Sequence, residues 1–511
     1  MTAVIQRAYD GITDQEYKRR IRAWTMYDWA NSAFATTILA AVLPIYYSQV
    51  AGATLANPSI ATSYWSIGLS LSLFITAIIA PILGTISDVM RGKKKFLSFF
   101  VGVGVIGTGL LVLVQTGDWL LASILFIVGR VGFTAANVFY DALLPHIARE
   151  EDRDRVSTRG YAMGYLGGGI LLAINVAMIQ FLPGTWGPRI AFLSVAVWWA
   201  VFSIPIFRRV PEPPAASVKP TEGKNVISIS FKRLWATLKD IRQYRELFTF
   251  LIAFLIYNDG IGTIIGVAAI YGAELGFGSL ELVLALLLVQ FVGIPFSLIF
   301  GRLPSADDPK RHIYLAFIVI NIFMLPFVGF MGARFLPEDM TSNLGVILGL
   351  IIVVEAICAL LAFLLGRPFF SGLADTMDTK RSIILALVMY VVIAVWGFIL
   401  GSVIEFWFLA WMVAVVQGGS QALSRSLYAK MSPASKSGEF FGLFGIMEKF
   451  SAILGPLIFA LAIAVFGSSR PAVLSIVVFF IVGGYILTKV NVGEGQRVAR
   501  EEDALMLSSQ T

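Results

Sequence analysis

The sequence predicts an all-α protein that crosses a membrane many times, and three observations carry that reading. The 511 residues are 57% hydrophobic and only 14% charged, with a mean hydropathy of +0.80, where soluble domains carry about 25% charged residues. Apolar runs of about 20 residues, the length that crosses a bilayer as a helix, recur along the whole chain. Lys and Arg gather in alternate loops, as the positive-inside rule requires of cytosolic segments. Period-2 alternation is absent, which argues against an outer-membrane barrel.

The elements follow in order. Residues 1–23 are polar and end in Lys18-Arg19-Arg20-Ile21-Arg22, a cytosolic amphipathic lead-in expected to lie at the lipid headgroups. That polar start, before so long a first apolar run, argues against a cleaved signal peptide. Six spans are expected at 24–49, 64–87, 96–116, 119–143, 160–182 and 190–208. A hydrophilic connector, 209–245, opens with Pro211-Glu212-Pro213-Pro214 and holds an amphipathic stretch at 231–239. It reads as a linker with a short helix on the membrane surface, the alternative being a regulatory or lipid-binding helix. Eight further spans are expected at 246–272, 280–301, 312–332, 344–366, 382–402, 406–428, 440–466 and 471–489, giving about fourteen. The polar tail, 491–511, is expected to be disordered. With the N-terminus in the cytosol, Arg189, Arg334 and Arg470 fall outside and Arg130 and Lys449 within spans; the rest of the 39 basic residues are cytosolic. Both termini are then cytosolic.

Several classes are disfavoured. The single cysteine, Cys358, lies in an apolar run and the chain has only two histidines, so no disulfide framework or metal-ligand cluster is expected. No catalytic motif or cofactor site is expected either. The net charge of +7 reflects loop orientation rather than a nucleic-acid surface. The glycine runs Gly102-Gly104-Gly107-Gly109 and Gly164-Gly167-Gly168-Gly169 sit inside apolar spans, where close helix packing explains them better than nucleotide loops.

An internal repeat divides the chain. Tyr27-Asp28 answers Tyr257-Asn258 at an offset of 230, and the segment from Tyr140 to Pro145 answers Tyr428 to Pro433 at 288. The loop that begins at Phe300-Gly301-Arg302 resumes only at Ser371-Gly372-Leu373-Ala374-Asp375, 71 residues after Gly301. A two-helix hairpin, 304–371, is therefore read as an insert in a six-plus-six design. The bundles are 24–208, and 246–303 joined to 372–490. The alternative gives 344–366 the place of the eighth bundle helix.

Polar groups inside spans are the candidate solute-pathway residues. Asp28 and Asn31 share one helical face, and Tyr257, Asn258 and Asp259 begin the first span after the connector. Gln417, Gln421 and Ser424 form a polar stripe, while Arg425, near the cytosolic end, reads as snorkelling. Lys449 suits a solute carboxylate, and Glu448 and Asp259 are candidate proton carriers. Glu355 is a lone membrane carboxylate in the insert.

The loop running from Gly84 through Asp88, Arg91 and Gly92 to Lys93-Lys94-Lys95 resembles the major facilitator superfamily signature, with one extra residue before Gly92. The segments Tyr27 to Phe34, Phe139 to Pro145, Arg159 to Tyr165, Tyr257 to Gly260, Gln417 to Ser426, and Lys449 with Ala452 to Pro456 are similar to the vacuole-effluxer-like (autophagy-related 22-like) branch of that superfamily. The resemblance implies a major facilitator fold with two six-helix bundles, alternating access and small-solute transport; eukaryotic members export amino acids from the vacuole. It also implies a gate at Gly84, Asp88, Arg91 and Lys93, with a second-half equivalent at Gly372, Asp375, Lys380 and Arg381. The expectation is a monomeric secondary transporter in a bacterial inner membrane, moving a small organic solute, an amino acid among the candidates, with proton coupling a hypothesis. A non-transporting receptor and a lipid flippase are the alternatives.

Overall fold

The computed structural model describes residues 12–56, 58–213, 243–274, 279–451 and 469–508, with Ile458, Leu461 and Val465. The amphipathic stretch at 231–239, most of the expected span 440–466 beyond residue 450, and the side chain of Lys449 lie outside that set.

The helices are α1 (Asp14–Ala51), α2 (Pro58–Met90), α3 (Lys93–Leu113), α4 (Trp119–Ile147), α5 (Arg153–Phe181), α6 (Trp186–Arg209), α7 (Arg245–Glu274), α8 (Ser279–Phe300), α9 (Arg311–Phe335), α10 (Leu344–Asp375), α11 (Thr379–Ile399), α12 (Val403–Met431), α13 (Ser437–Phe450), α14 (Arg470–Lys489) and α15 (Val492–Ser508). Twelve described helices are long and apolar enough to cross a membrane, and α8 contains a shorter apolar stretch, Leu284–Phe300.

In the first bundle α1 packs on α5 and α6, α3 on α4 and α6, and α2 on α4. The second repeats the scheme: α7 packs on α14, α8 on α12, and α11 on α12 and α14. The bundles meet along α2 with α13, and α5 with α8 and α12. Small residues permit this approach: Gly84 lies against the backbone of Gly438, and Gly301 against Thr158. The position beside α5 and α12 is filled by α8, so 344–366 does not occupy it. The hairpin α9–α10 sits at the rim, α9 on α12 and α10 mainly on α9. Ile352, Val353, Leu360, Phe363 and Leu364 of α10 face outward, an apolar surface suited to lipid rather than water.

Three expectations are corrected. The lead-in to the first span does not lie apart at the headgroups: α1 runs unbroken from Asp14 through Ala33. Thr13 caps it, and Tyr17 and Ile21 are buried. Tyr17 donates to Asp152 at 2.8 Å. The fifth span begins at Arg153 rather than 160, because its polar first turns dock on α12 instead of meeting solvent. The tail is helical over Val492–Ser508. Ala499 is buried and Gly495 lies on Met431, so one face of a polar-looking segment finds an apolar partner.

Farther along, α1 widens into π-helical turns over Phe34–Ala41 and Tyr47–Ala51, around Pro44. Proline has no N–H for the i→i−4 ladder, and such turns absorb the disruption.

Candidate functional site

The polar contacts between the bundles concentrate at the end where the termini lie, the end that the charge pattern assigns to the cytosol. At their centre is Arg425 of α12, 3% exposed. Its Nη1 donates to Asp141 Oδ1 of α4 at 3.0 Å, and Nη2 stands 3.5 Å from Asp28 Oδ2 of α1. Nε donates to Ser157 Oγ of α5 and Nη2 to the Ser157 carbonyl, both at 2.9 Å. The guanidinium also lies over the rings of Trp24, Tyr140 and Tyr161, as cation–π geometry favours. Tyr140 donates to Asp28 Oδ2 at 2.6 Å. A fixed guanidinium fork suits such divergent acceptors better than an ammonium. A Cβ at Gly160 would fall among Asp28, Arg425 and Trp24; glycine there lets α5 approach.

Arg425 is the residue that depth along the helix misjudged. It lies near a span end, but closure of the two bundles buries that end, so it is not snorkelling. The signal available in the sequence was its pairing in kind with Tyr140-Asp141, the only acidic residue in the fourth span.

Around this centre the bundles are joined by further bonds. Asp88 at the end of α2 pairs with Lys93 and accepts from the backbone N–H groups of Gly438 (3.0 Å) and Glu439 (2.8 Å). A carboxylate thus sits on the N-terminus of α13, where the helix dipole and unpaired N–H groups favour it. Asp154 of α5 takes Lys430 at 2.5 Å and Thr379 at 2.9 Å. Arg153 donates to the carbonyl of Ala429, and His146 bonds Ser437, each at 2.9 Å. Toward the opposite membrane face no hydrogen bond or ion pair joins the bundles among the described residues. The protein is closed at the terminal end.

The other candidates distribute as follows. Asn31 donates to Asn137 at 2.6 Å within the first bundle. The Tyr257 hydroxyl bonds Ser424 at 2.7 Å, so Asp28 and Tyr257 do not face one another; they meet adjacent residues of α12, Arg425 and Ser424. Asn258 donates to Ser451 at 2.6 Å, and Asp259 is fully buried. Gln417 and Gln421 are half-buried on α12. Glu448, Asp141, Asn137, Thr134 and Thr76 line a narrow cleft between α2, α4 and α13. Arg91 closes α2 in a left-handed conformation (φ 52°), and Gly92 N–H returns to Ser87 O at 3.0 Å, the 6→1 bond of a Schellman end.

The second-half gate residues are placed elsewhere than expected. A Cβ added at Gly372 would meet nothing within 4 Å outside its own helix turn. Asp375, with a side chain 72% exposed, pairs with Arg311 of the hairpin at 2.5 Å. Lys380 donates to Val490 O at 3.0 Å and Arg381 N–H to Asp378 at 2.7 Å, both within their own bundle. The glycine that touches the first bundle is Gly301. Gly372 and Asp375, at the end of α10, stand with the α9–α10 hairpin rather than at the interface between the bundles.

Comparison with known proteins agrees with this architecture. A family model described as vacuole effluxer Atg22 like matches residues 16–347 and 338–500. The uncharacterized MFS-type transporter YxiO of Bacillus subtilis is 32% identical over 500 residues, covering 96% of this chain and 100% of that protein. Autophagy-related protein 22 of Kluyveromyces lactis is 23% identical over 535 residues, covering 96% of each. Among solved structures, the proton:xylose symporter XylE superposes with a TM-score of 0.59 at 15% identity, covering 96% of this chain and 99% of that one. A bacterial homologue of the iron transporter ferroportin in an outward-facing state gives 0.51 at 13%, covering 93% and 98%. The chain belongs to the Atg22-like vacuole effluxer family, a branch of the major facilitator superfamily of membrane transporters.

Proposed function

We propose that this protein is a secondary active transporter that moves a small organic solute by alternating access, that amino acids are the first class to test, and that protons are coupled through Asp28, Asp141 and Glu448. The observation that carries the proposal is the position of Arg425, a guanidinium of one bundle held between two carboxylates of the other at the closed end. Opening that end draws α12 away from α1 and α4. Asp28 and Asp141 then lose their cation and Arg425 its anions. Buried charges stripped of partners cost several kcal/mol, so opening requires replacements. Protons or water serve the carboxylates, and a solute carboxylate serves the guanidinium. The half-buried amides of Gln417 and Gln421, on the same helix, suit the remaining polar groups of a zwitterion. Asn31, Tyr257, Asn258, Asp259 and Lys449 remain pathway candidates on this proposal. The family description as an effluxer favours export from the cytosol, in a bacterial cell membrane.

The test is flux in proteoliposomes, with radiolabelled amino acids inside and a pH gradient imposed in either direction. Gradient-driven flux is expected, lost in Arg425→Ala and no longer accelerated by the gradient in Asp28→Asn/Asp141→Asn. Solute binding without flux would replace this reading by a receptor. Movement of labelled phospholipid without amino-acid flux would replace it by a flippase.

A further inference from the structure

Helix α4 carries a cation that the closed-end cluster does not use. Arg130 lies about 17 Å along the axis from Trp119, near the middle of a hydrocarbon core about 30 Å thick. It shares one helical stripe with Thr134, Asn137 and Asp141, at steps of four, three and four residues. The lipid side of the helix is a different one, where Leu120, Leu121, Ile124 and Val128 are exposed. Arg130, Asn137 and Asp141 are nevertheless only half-buried, so their stripe borders an opening inside the protein. Thr134, Asn137 and Asp141 line the cleft that also holds Glu448. Arg130 is the next turn of that stripe, toward the membrane face where no polar contact joins the bundles among the described residues.

A cation at this depth ordinarily has an anion beside it, because an unpaired charge in a membrane interior is costly. Among the described residues the Arg130 side chain forms no ion pair and no hydrogen bond; what stands against its guanidinium is the ring of Phe126, 5.9 Å from the centroid. That distance is the outer limit of a cation–π contact, and it leaves five N–H groups without acceptors. The acids of its own helix are out of reach. Asp141 is about 17 Å farther along the axis and already holds Arg425. Asp118, at the other end, is about 18 Å away and accepts from the Gln115 N–H. Lipid phosphates lie about 15 Å from the midplane, beyond a snorkelling side chain on the wrong face of the helix. The missing anion has to arrive through the interior opening.

We propose that Arg130 binds the carboxylate of the solute while the cytosolic end is closed. The ligand class is a small organic molecule with a free carboxylate, which a guanidinium takes through two parallel N–H bonds. Thr134, one turn on, offers a hydroxyl. Asn137 accepts from Asn31 at 2.6 Å through Oδ1, which leaves its amide hydrogens to give. In the closed state Arg425 is spent on Asp28 and Asp141 and has nothing left for a solute. The two arginines are alternative anchors, Arg425 when the cytosolic end opens and Arg130 when it closes. That alternation rests on the reading of the chain as a solute transporter; the carboxylate site at Arg130 does not depend on flux.

Melting temperatures of the full chain in lipid nanodiscs test it. The ligands are the standard amino acids, the straight-chain carboxylates from acetate to hexanoate, and the matching carboxamides. At least one acid is expected to raise the wild-type melting temperature by several degrees, and its amide to leave it unmoved. Arg130→Gln should lose that shift; Arg130→Lys, a cation without the planar fork, should keep a smaller one. Without ligand, Arg130→Gln should melt no lower than the wild type, since it removes a charge that has no partner to lose. A wild type that no carboxylate stabilises, an amide as effective as its acid, or a shift that survives in Arg130→Gln overturns the proposal. A ligand-free Gln variant well below the wild type overturns it too, because Arg130 would then be holding the fold together. The comparison of acid with amide needs no variant, so it holds even where the variants fold poorly. Flux in proteoliposomes separates this proposal from the wider reading. Arg130-dependent binding of an acid without its flux keeps the site and removes the transporter. Flux undiminished in Arg130→Gln keeps the transporter and removes the site.

Discussion

The loop after α2 and the second-half segments expected to answer it do different work. In the first, glycine, acid and base fall within ten residues, from Gly84 to Lys93. Gly84 lets the bundles touch at Gly438, and Asp88 caps the helix that starts there. In the second half, the glycine and the acid stand on either side of the α9–α10 hairpin. Gly301 still packs against the opposite bundle, at Thr158, but Asp375 is turned to solvent and paired with the insert's own Arg311. Polar docking on that side is done instead by Asp154 of the first bundle, which takes Lys430 and Thr379. Glycine suits both places, because a Cβ would meet the Gly438 carbonyl at one and the Thr158 side chain at the other. The acid is replaceable because any carboxylate near those partners can serve.

The largest effect should come from the same substitution made on the two sides. A Cβ at Gly84 collides with the Gly438 carbonyl, a backbone group that cannot rotate away. Gly84→Ala should force the closed end apart. A Cβ at Gly372 would meet nothing within 4 Å outside its own helix turn, and Ala in place of a helical glycine should stabilise by about 1 kcal/mol. The readout is thiol labelling of a cysteine placed at Ser426, buried at the closed end. The background is simple, since Cys358→Ala removes the only native thiol. Fast labelling in Gly84→Ala with none in Gly372→Ala is expected; equal rates would show that the loops are not functionally distinct.

Next in size are the acids. Asp88→Asn leaves Lys93, 2% exposed, without its anion and weakens the cap on α13. Removing one member of a buried pair costs about 3–5 kcal/mol, which should move most molecules to the open form in the same labelling assay. Asp375→Asn breaks a pair whose acid is largely in water, worth about 0–1 kcal/mol, and should leave labelling unchanged.

The tail supplies a smaller, pH-dependent effect. Burial pushes the Glu502 carboxyl up, but Lys436 at 2.6 Å, with Tyr244 and Gln243, brings it below its ordinary value. A depressed acid contributes its stability above the ordinary carboxylate range and loses it as pH falls through the lower, folded value. Exchange of the α15 amides with deuterium should therefore quicken on acidification in the wild type. It should be less pH-sensitive in Glu502→Gln, although burial of the neighbouring Asp503 carboxyl pushes that group up and opposes the trend. Because α15 rests on the α12–α13 turn that Asp88 locks, and Arg500 reaches Glu150 of the first bundle at 2.7 Å, the tail reinforces the first-half side of the comparison.

How much of this was legible varies with the physics involved. Spans were readable because lipid demands long apolar runs. Asp88 and its basic neighbours were readable as a local pattern. Arg425 with Asp141 was not, because their meeting joins helices 284 positions apart in sequence, and hydropathy records depth in lipid rather than burial between bundles. The helical tail was missed for a related reason. Its composition is polar, and only the groove between α7 and α12 makes one face of it apolar.

The smallest effect concerns how the two helices end. At the end of α2 the left-handed position is held by Arg91 (φ 52°), where a Schellman end usually places glycine. At the end of α10 the corresponding residue, Thr376, keeps a right-handed conformation (φ −92°), so no strain exists there to relieve. Arg91→Gly should therefore stabilise the protein by less than about 1 kcal/mol, the usual cost of a side chain in that region offset by glycine's extra freedom when unfolded. Thr376→Gly should destabilise by a similar amount. Arg91 forms no ion pair among the described residues, so its charge should matter only through lipid headgroups and membrane orientation. Melting temperatures in detergent, for the two variants side by side, separate the readings. A rise at 91 with a fall at 376 locates the strain in the first-half loop alone; a fall at both would mean that the Arg91 side chain contributes more than its backbone costs.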